Sequence, residues 1–208
     1  MDTRTSPFRA RLTQLREVLA RLPLRFEENR GQGGPGFDHL VKGASYEIGL
    51  APDKLRFQAG SLDVTVNLAD ADPRAAGRGE QRLAAISHYL LGRDREGWRT
   101  QIPNFAKVRY SGVYPGIDLV YYGRERRIEY DFLVAPGGDP GRIALRIGGA
   151  SPRIGDTGDL LLDGGGGQLR LHRPVVYQEK EGVRREVAAR YRVRDDGTVG
   201  FEIAAYDR

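Results

Sequence analysis

The sequence predicts an all-β fold, a large antiparallel β-sandwich or an enlarged supersandwich, with one amphipathic α-helix in front of it. From Leu24 onward the chain divides into about a dozen short runs of alternating apolar and polar residues. Turn residues separate these runs roughly every 8 to 12 residues, which is typical of sandwiches and barrels. The 28 glycines and 11 prolines are many for a helical protein and ordinary for a turn-rich β protein. We therefore expect a single β domain over residues 24–208 after a helical arm over residues 1–23.

The arm is predicted from apolar residues that recur at helical spacing, at Phe8, Leu12, Leu15, Leu19 and Leu22. Ser6 can cap this helix, Pro7 takes its first position, and Pro23 ends it. The helix over residues 7–22 is expected to lie on the β domain, and the alternative is that it docks to a partner or a membrane surface. Arginines interrupt every apolar run of the arm, so the sequence predicts neither a signal peptide nor a transmembrane segment.

Two further segments are predicted to be irregular. Residues 70–104 lack a clear alternation and suggest a loop with one short helical turn near residues 80–90. The stretch "FEENRGQ" (residues 26–32) is dense in polar residues, and its composition alone is that of a linker.

Charge and cysteine content exclude several classes of function. The chain has no cysteine, which rules out disulfides, thiol catalysis and Cys-ligated zinc. Its net charge is +5, but 33 basic residues alternate with 28 acidic ones, so a mixed solvated surface is favoured over a nucleic-acid interface. The three histidines are scattered, and no GxSxG, Walker or HExxH motif occurs.

The centre of the chain, residues 108–134, predicts a hairpin with one apolar face. If the turn is "GRER" (residues 123–126), Tyr122 lies opposite Arg127. The face that this register makes apolar holds eight residues, which are Val108, Tyr110, Ile117, Leu119, Tyr121, Ile128, Tyr130 and Phe132. Because a shift by one residue would destroy this agreement, we assign that face to the core.

The other face of the hairpin carries the candidate site. The same register places Asp118 directly opposite Asp131, with Glu129 next along the strand, and like charges directly opposed destabilise a sheet. Three interpretations remain open: a structural network with Arg109 and Lys107, a bound Ca²⁺-like cation, and an acid–base pair. The candidate binding residues are Asp118, Asp131, Glu129, Arg109, Lys107 and Tyr122.

A second, weaker candidate lies in "GDTGDLLLDGGGG" (residues 155–167). Asp156, Asp159 and Asp163 have the composition of a calcium loop. Calcium rolls need tandem nonapeptide repeats, and only one irregular copy is present. Tight turns around a short strand are the favoured interpretation, so no cofactor is expected and calcium is a weak alternative.

Several strings together resemble a known family, and they are "FEENRGQ", "GWRTQIPNFAKVRYSGVYPGIDLVYYG", "IEYDFLVAPGGDP", "GDLLL" and "RPVVYQE". They are similar to the uncharacterised domain that heads bacterial SBBP-repeat (seven-bladed β-propeller) proteins, from Phe26 to Tyr206. The resemblance implies a β-rich module of exported or cell-surface proteins. It implies no reaction and no catalytic residues. An arginine-rich segment stands where that family would have an export signal, so the compartment stays open.

Three functional hypotheses follow. The favoured one is a non-catalytic β-sandwich module for binding or assembly, with a protein or a carbohydrate as ligand. The alternative is an enzyme acting on polysaccharide through Asp118, Asp131 or Glu129, which rests on fold-level analogy. The third is a basic nucleic-acid-binding protein, which rests on the pI of about 9.6.

Overall fold

The computed structural model describes residues 7–13, 24–90, 92–124, 127–180 and 182–206. It is about 63% strand and 3% helix. Every strand pairing is antiparallel. The all-β, antiparallel class predicted from the alternation is therefore confirmed. No helix in these ranges has the length and hydrophobicity needed to cross a membrane.

The strands, in chain order, are β1 (Pro7–Thr13), β2 (Phe26–Glu28), β3 (His39–Lys42), β4 (Glu47–Ala51), β5 (Lys54–Ala59), β6 (Leu62–Leu68), β7 (Gly77–Tyr89), β8 (Arg99–Tyr114), β9 (Ile117–Arg124), β10 (Arg127–Val134), β11 (Leu145–Gly148), β12 (Ala150–Ile154), β13 (Leu160–Gly164), β14 (Gly167–Lys180), β15 (Val183–Val187), β16 (Ala189–Val193) and β17 (Val199–Ile203). Two short 3-10 helices span Arg95–Gly97 and Pro140–Arg142.

The strands form one continuous hydrogen-bonded network. One arm is the meander β2–β3–β4–β5–β6, which continues through β11 and β17 to β16. The other arm runs from β9 through β10, β1 and β14 to β13 and β12, with β15 beside β14.

Strand β8 joins the two arms. It pairs with β7 along one edge, and along its other edge it pairs first with β2 and then with β9. The contact with β2 is made by Asn104 and Phe105, and the contact with β9 runs from Lys107 to Tyr114. One long strand therefore belongs to both arms of the sheet.

The apolar face predicted for the central hairpin is part of the core. All eight of its predicted members are buried and belong to one hydrophobic cluster. Val108 pairs with Tyr121 and Tyr110 with Leu119, as the alternation predicts. A chain of aromatic rings links the hairpin to the C-terminal strands through edge and tilted contacts, in the order Tyr110, Tyr121, Tyr130, Phe132, Phe201 and Tyr191.

The predicted register of the hairpin is wrong by two residues. Arg124 pairs with Arg127, whereas the prediction places Tyr122 opposite Arg127. Asp118 therefore lies opposite Leu133, and Asp131 lies opposite Val120. A shift by two keeps every side chain on its face, which is why the core assignment holds while the direct opposition of the two aspartates does not.

The predicted N-terminal helix is not shown. Residues 7–13 form strand β1, and residues 14–22 of the prediction lie outside the described residues. The sequence "PFRARLT" alternates apolar and polar residues with period two, so in this stretch the strand pattern fits as well as the helical one. The short helical turn expected near residues 80–90 is also wrong, because those residues lie mostly in the 13-residue strand β7.

Candidate functional site

Arg109 binds two carboxylates on the polar face of the central hairpin. Its Nε donates to Glu80 Oε1 at 2.7 Å and its Nη1 donates to Asp118 Oδ2 at 3.3 Å. Asp118 Oδ1 also accepts the Gly112 N–H at 2.8 Å. Partial burial acts to lower the pKa of Arg109, but its bonds to the two carboxylates outweigh burial and raise it. The guanidinium therefore stays charged, and Asp118 is part of an ion-pair network.

The remaining predicted residues of this face form a second group. Asp131 and Glu129 are almost fully buried, at 7% and 3% exposure. The Tyr122 hydroxyl donates to Asp131 Oδ1 at 3.1 Å, and the Lys107 ammonium lies 5.9 Å from the centre of the Tyr122 ring. The structure thus brings Asp118 together with Arg109, and Asp131 together with Tyr122. Sequence reasoning missed Glu80, which comes from β7.

The three aspartates of the weak calcium prediction each have a different environment. Asp159 is buried and accepts the Arg173 N–H at 2.8 Å, whereas Asp163 accepts Arg153 Nε at 2.7 Å near the surface. Asp156 lies in the turn before them. Four residues of extended chain separate Asp159 from Asp163, about 13 Å, which is too far for a shared ion. Within the described ranges, no group of three or more acidic or histidine side chains could hold a metal ion.

A buried carboxylate that the sequence did not predict lies where β2 meets β8. Glu27 is 3% exposed. The Ser87 hydroxyl donates to its Oε1 and the Tyr89 hydroxyl to its Oε2, both at 2.6 Å. Asn104, its register partner on β8, donates from Nδ2 to Ser87 Oγ at 3.0 Å. These four side chains, the Glu27 cluster, tie β2 to the far end of β7.

The Glu27 cluster has the chemistry of a structural hydrogen-bonded contact that holds strands together. Burial raises the pKa of the Tyr89 hydroxyl, and its bond to Glu27 raises it further, so Tyr89 remains a donor at all physiological pH values. Both carboxylate oxygens of Glu27 are occupied by short hydrogen bonds. The Lys42 ammonium lies 4.9 Å from the centre of the Tyr89 ring, and it is itself paired with Glu47 at 3.0 Å.

The stretch "FEENRGQ", whose composition suggests a linker, leads into a loop organised by Asn29. The Asn29 Oδ1 accepts the N–H groups of Gly31 and Gly33 at 3.1 and 3.2 Å, and its Nδ2 donates to the Phe37 carbonyl at 2.8 Å. A Cβ at Gly33 would lie 2.5 Å from the Leu40 side chain, so a larger residue there would have to displace this buried leucine. The loop packs on Leu40, the β3 neighbour of Glu27, and so helps to bury the cluster.

His39 lies on the opposite face of the β2–β3 pair from Glu27. It is buried against the rings of Phe105 and Tyr110, with centroids at 6.2 and 6.3 Å. Its Nδ1 has no hydrogen-bond partner among the described residues. Burial lowers the pKa of His39 to about 4, and the nearby Glu28 offsets part of that effect. A neutral imidazole in this position packs as an aromatic ring.

The sequence pattern does not predict the Glu27 cluster, because its members come from strands that are distant in the sequence. Glu27 is separated from its two hydroxyl donors by 60 and 62 residues. One signal was present: Ser87 and Tyr89 are two residues apart, so on a strand they share a face. The weak alternation of this segment predicts an irregular structure instead, which hides the shared face.

Comparison with known proteins gives one result. A family model described as "Domain of unknown function (DUF7948)" matches residues 26–208, and the chain belongs to this family. No curated protein and no solved structure shows a significant match.

Proposed function

We propose that this member of the DUF7948 family is a non-catalytic β-sandwich module for binding or assembly, with a protein as its partner. The module is of the kind that heads SBBP-repeat proteins, as the sequence motifs suggest. The observation that carries the proposal is that the acidic side chains of the central hairpin are engaged in structural contacts.

Glycoside hydrolysis needs one protonated acid and one carboxylate that both reach the substrate. Asp118 accepts hydrogen bonds from Arg109 and from the Gly112 N–H, so both of its carboxylate oxygens are engaged within the protein. Asp131 and Glu129 are too deeply buried to touch a polymer. These contacts support a scaffold role for the three acids.

The distribution of aromatic residues supports a protein over a carbohydrate as partner. Sugar rings commonly stack on exposed aromatic side chains, whereas seven of the ten tyrosines are buried here, namely Tyr46, Tyr110, Tyr114, Tyr121, Tyr130, Tyr177 and Tyr191. The only tryptophan, Trp98, has the Arg95 guanidinium 5.4 Å from its ring centre.

The test is a screen for release of reducing sugar from a panel of polysaccharides, combined with a glycan array. We expect neither turnover nor specific glycan binding. Turnover that is lost in Asp118→Asn but kept in Asp163→Asn would establish the enzyme alternative, since Asp163 is an exposed, ion-paired aspartate on another strand. A specific glycan hit would establish a carbohydrate ligand. A mobility-shift assay with duplex DNA addresses the third hypothesis, and we expect no complex at physiological salt.

A further inference from the structure

Strand β1 fills a gap between two strands that do not pair with each other. It pairs with β10 over five positions, from Pro7 opposite Leu133 to Arg11 opposite Glu129. On its other side it pairs with β14, from Phe8 opposite Val176 to Thr13 opposite Arg170. Residues 7–13 thus complete the sheet between β10 and β14.

The gap has the width of one strand. Paired strands lie about 4.7–4.9 Å apart, so β10 and β14 are separated by about 9–10 Å across β1. At that distance their backbone groups cannot bond to each other. Without an inserted strand, the N–H and C=O groups along both edges would have no protein partner, and such edges bind extended peptides readily. We call this gap the strand slot.

On one face of the slot, the register places basic residues of β1 opposite acidic residues of β10. Arg9 lies opposite Asp131, and Arg11 lies opposite Glu129. Opposite charges at directly paired positions stabilise a sheet. Both acids are almost fully buried, and a basic residue at the directly paired position would offset the cost of burying their charge. This match explains why a face rich in carboxylates is tolerated beside the core.

On the other face the register matches apolar residues. Phe8 lies opposite Phe132 on β10 and opposite Val176 on β14, and Leu12 lies opposite Leu171. The three residues of the walls are buried members of the core cluster. The slot therefore selects an extended segment with apolar and basic residues in alternation, which is the pattern of "FRARL".

Strand β1, which occupies the slot, and strands β10 and β14, which form its walls, differ in their relation to the family match. Strands β10 and β14 lie within the residues that the family model matches, and β1 lies outside them. We propose that the strand slot is a peptide-binding site that accepts an extended, alternating apolar–basic segment by strand addition, and that residues 7–13 occupy it as an exchangeable ligand. The inference rests on the proposed binding function, for which it names the site and the class of ligand.

The experiment uses the full chain with a protease site inserted between Leu19 and Ala20. Cleavage leaves the occupant held by non-covalent contacts alone. A fluorescent peptide of residues 5–15 is then added in excess to the cleaved protein, and its uptake is followed by anisotropy. We expect saturable binding of one peptide per chain, with release of the N-terminal fragment and an unchanged β spectrum in circular dichroism.

Three control peptides define the specificity. A peptide with Arg9→Lys and Arg11→Lys should bind within about threefold of the parent, because charge and alternation are kept. One with Arg9→Glu and Arg11→Glu should bind roughly tenfold more weakly or worse, because two pairs become like-charged. A peptide of the same composition with apolar and basic positions exchanged should not compete.

Hydrogen exchange supplies a second measurement. Amides of residues 129–133 and 170–176 should exchange faster when the fragment is removed and should be protected again by the parent peptide. No uptake of peptide, unfolding of the cleaved chain on loss of the fragment, or equal affinity of the glutamate peptide would each overturn the proposal. These outcomes leave the non-catalytic function standing, whereas turnover in the polysaccharide screen would remove that function whatever the peptide does.

Discussion

The ribbon formed by β7 and β8 holds a carboxylate centre at each end, and the two centres are stabilised in different ways. At one end, Arg109 pairs with Glu80 and Asp118, and all three side chains are about one-third exposed. At the other end, Glu27 is buried and accepts hydrogen bonds from two neutral hydroxyl groups. In these two centres, the part-exposed carboxylates have a charged partner, whereas the buried carboxylate has neutral hydrogen-bond donors.

The physical reason lies in the cost of removing charge from water. A part-exposed ion pair keeps some of its hydration, so it forms easily but contributes little. A fully buried carboxylate must replace its hydration with hydrogen bonds, and losing those bonds leaves unsatisfied groups inside the protein. We therefore expect the Glu27 cluster to contribute far more to stability than the Arg109 network.

The largest expected effect is that of Glu27→Ala. Hydrogen bonds to a charged group contribute about 1.5–3 kcal/mol each, so losing two of them should lower the free energy of unfolding by about 3–6 kcal/mol. Urea denaturation measures this value. The matched control is Glu28→Ala, whose exposed carboxylate pairs with Arg30 and should cost less than about 1 kcal/mol. Equal losses for the two variants would contradict the comparison.

The next effect concerns His39, which is buried on strand β3 and whose Nδ1 has no hydrogen-bond partner among the described residues. Its folded-state pKa of about 4 lies below the usual 6.5, so the unfolded chain binds the proton more readily between these values. The stability that this histidine contributes is therefore complete above pH 6.5 and is lost as the pH falls towards 4. A shift of this size corresponds to about 3 kcal/mol.

The measurement is the difference in unfolding free energy between wild type and His39→Phe at pH 7.5, 5.5 and 4.5. Other groups titrate in both proteins, so their effects cancel in the difference. The unfolding free energy of His39→Phe should rise relative to that of the wild type as the pH falls. Parallel curves for His39→Phe would mean that the imidazole is hydrated in the native state.

Arg109→Ala should have a smaller effect, about 1 kcal/mol, because part-exposed pairs contribute up to about 1 kcal/mol each. Asp118→Asn in the same background should restore part of the loss, because it removes the charge of one of the two carboxylates that Arg109 pairs with. A double-mutant cycle with thermal or urea unfolding measures this coupling. Strictly additive effects would show that the two side chains do not interact in solution.

The smallest effect separates the two centres by their response to salt. Raising NaCl from 0.05 to 1 M should shrink the Arg109→Ala penalty by a few tenths of a kcal/mol, because exposed ion pairs are screened. The Glu27→Ala penalty should not change, because neutral hydroxyl donors inside the protein are not screened. A salt-dependent Glu27→Ala penalty would place that carboxylate in contact with solvent.

The comparison also shows how far the sequence predicts this fold. The apolar face of the central hairpin was predictable because side chains alternate with a fixed period of two. The exact register was not predictable, because two registers that differ by two residues keep the same face, and this difference moves Asp131 away from Asp118. The Arg109–Asp118 pair survived the shift, since both residues stay on the polar face.

The Glu27 cluster and strand β1 were beyond local pattern analysis. Ser87 and Tyr89 reach Glu27 only after the chain has folded through four intervening strands. In "FRARL" the strand period and the helical period predict equally well over so few residues. Residues 7–13 are a strand because they pair with β10 and β14, and these partners are too distant in the sequence for a local pattern to reveal them.

The shared position of β8 has a consequence for how the molecule comes apart. Strand β8 forms backbone hydrogen bonds with β2, which belongs to one arm of the sheet, and with β9, which belongs to the other arm. Neither arm can detach while the ladder along β8 remains intact, and loss of that ladder releases both. Denaturation should therefore proceed as one cooperative transition that spans the N-terminal meander and the C-terminal strands alike, with coincident midpoints for probes placed in each.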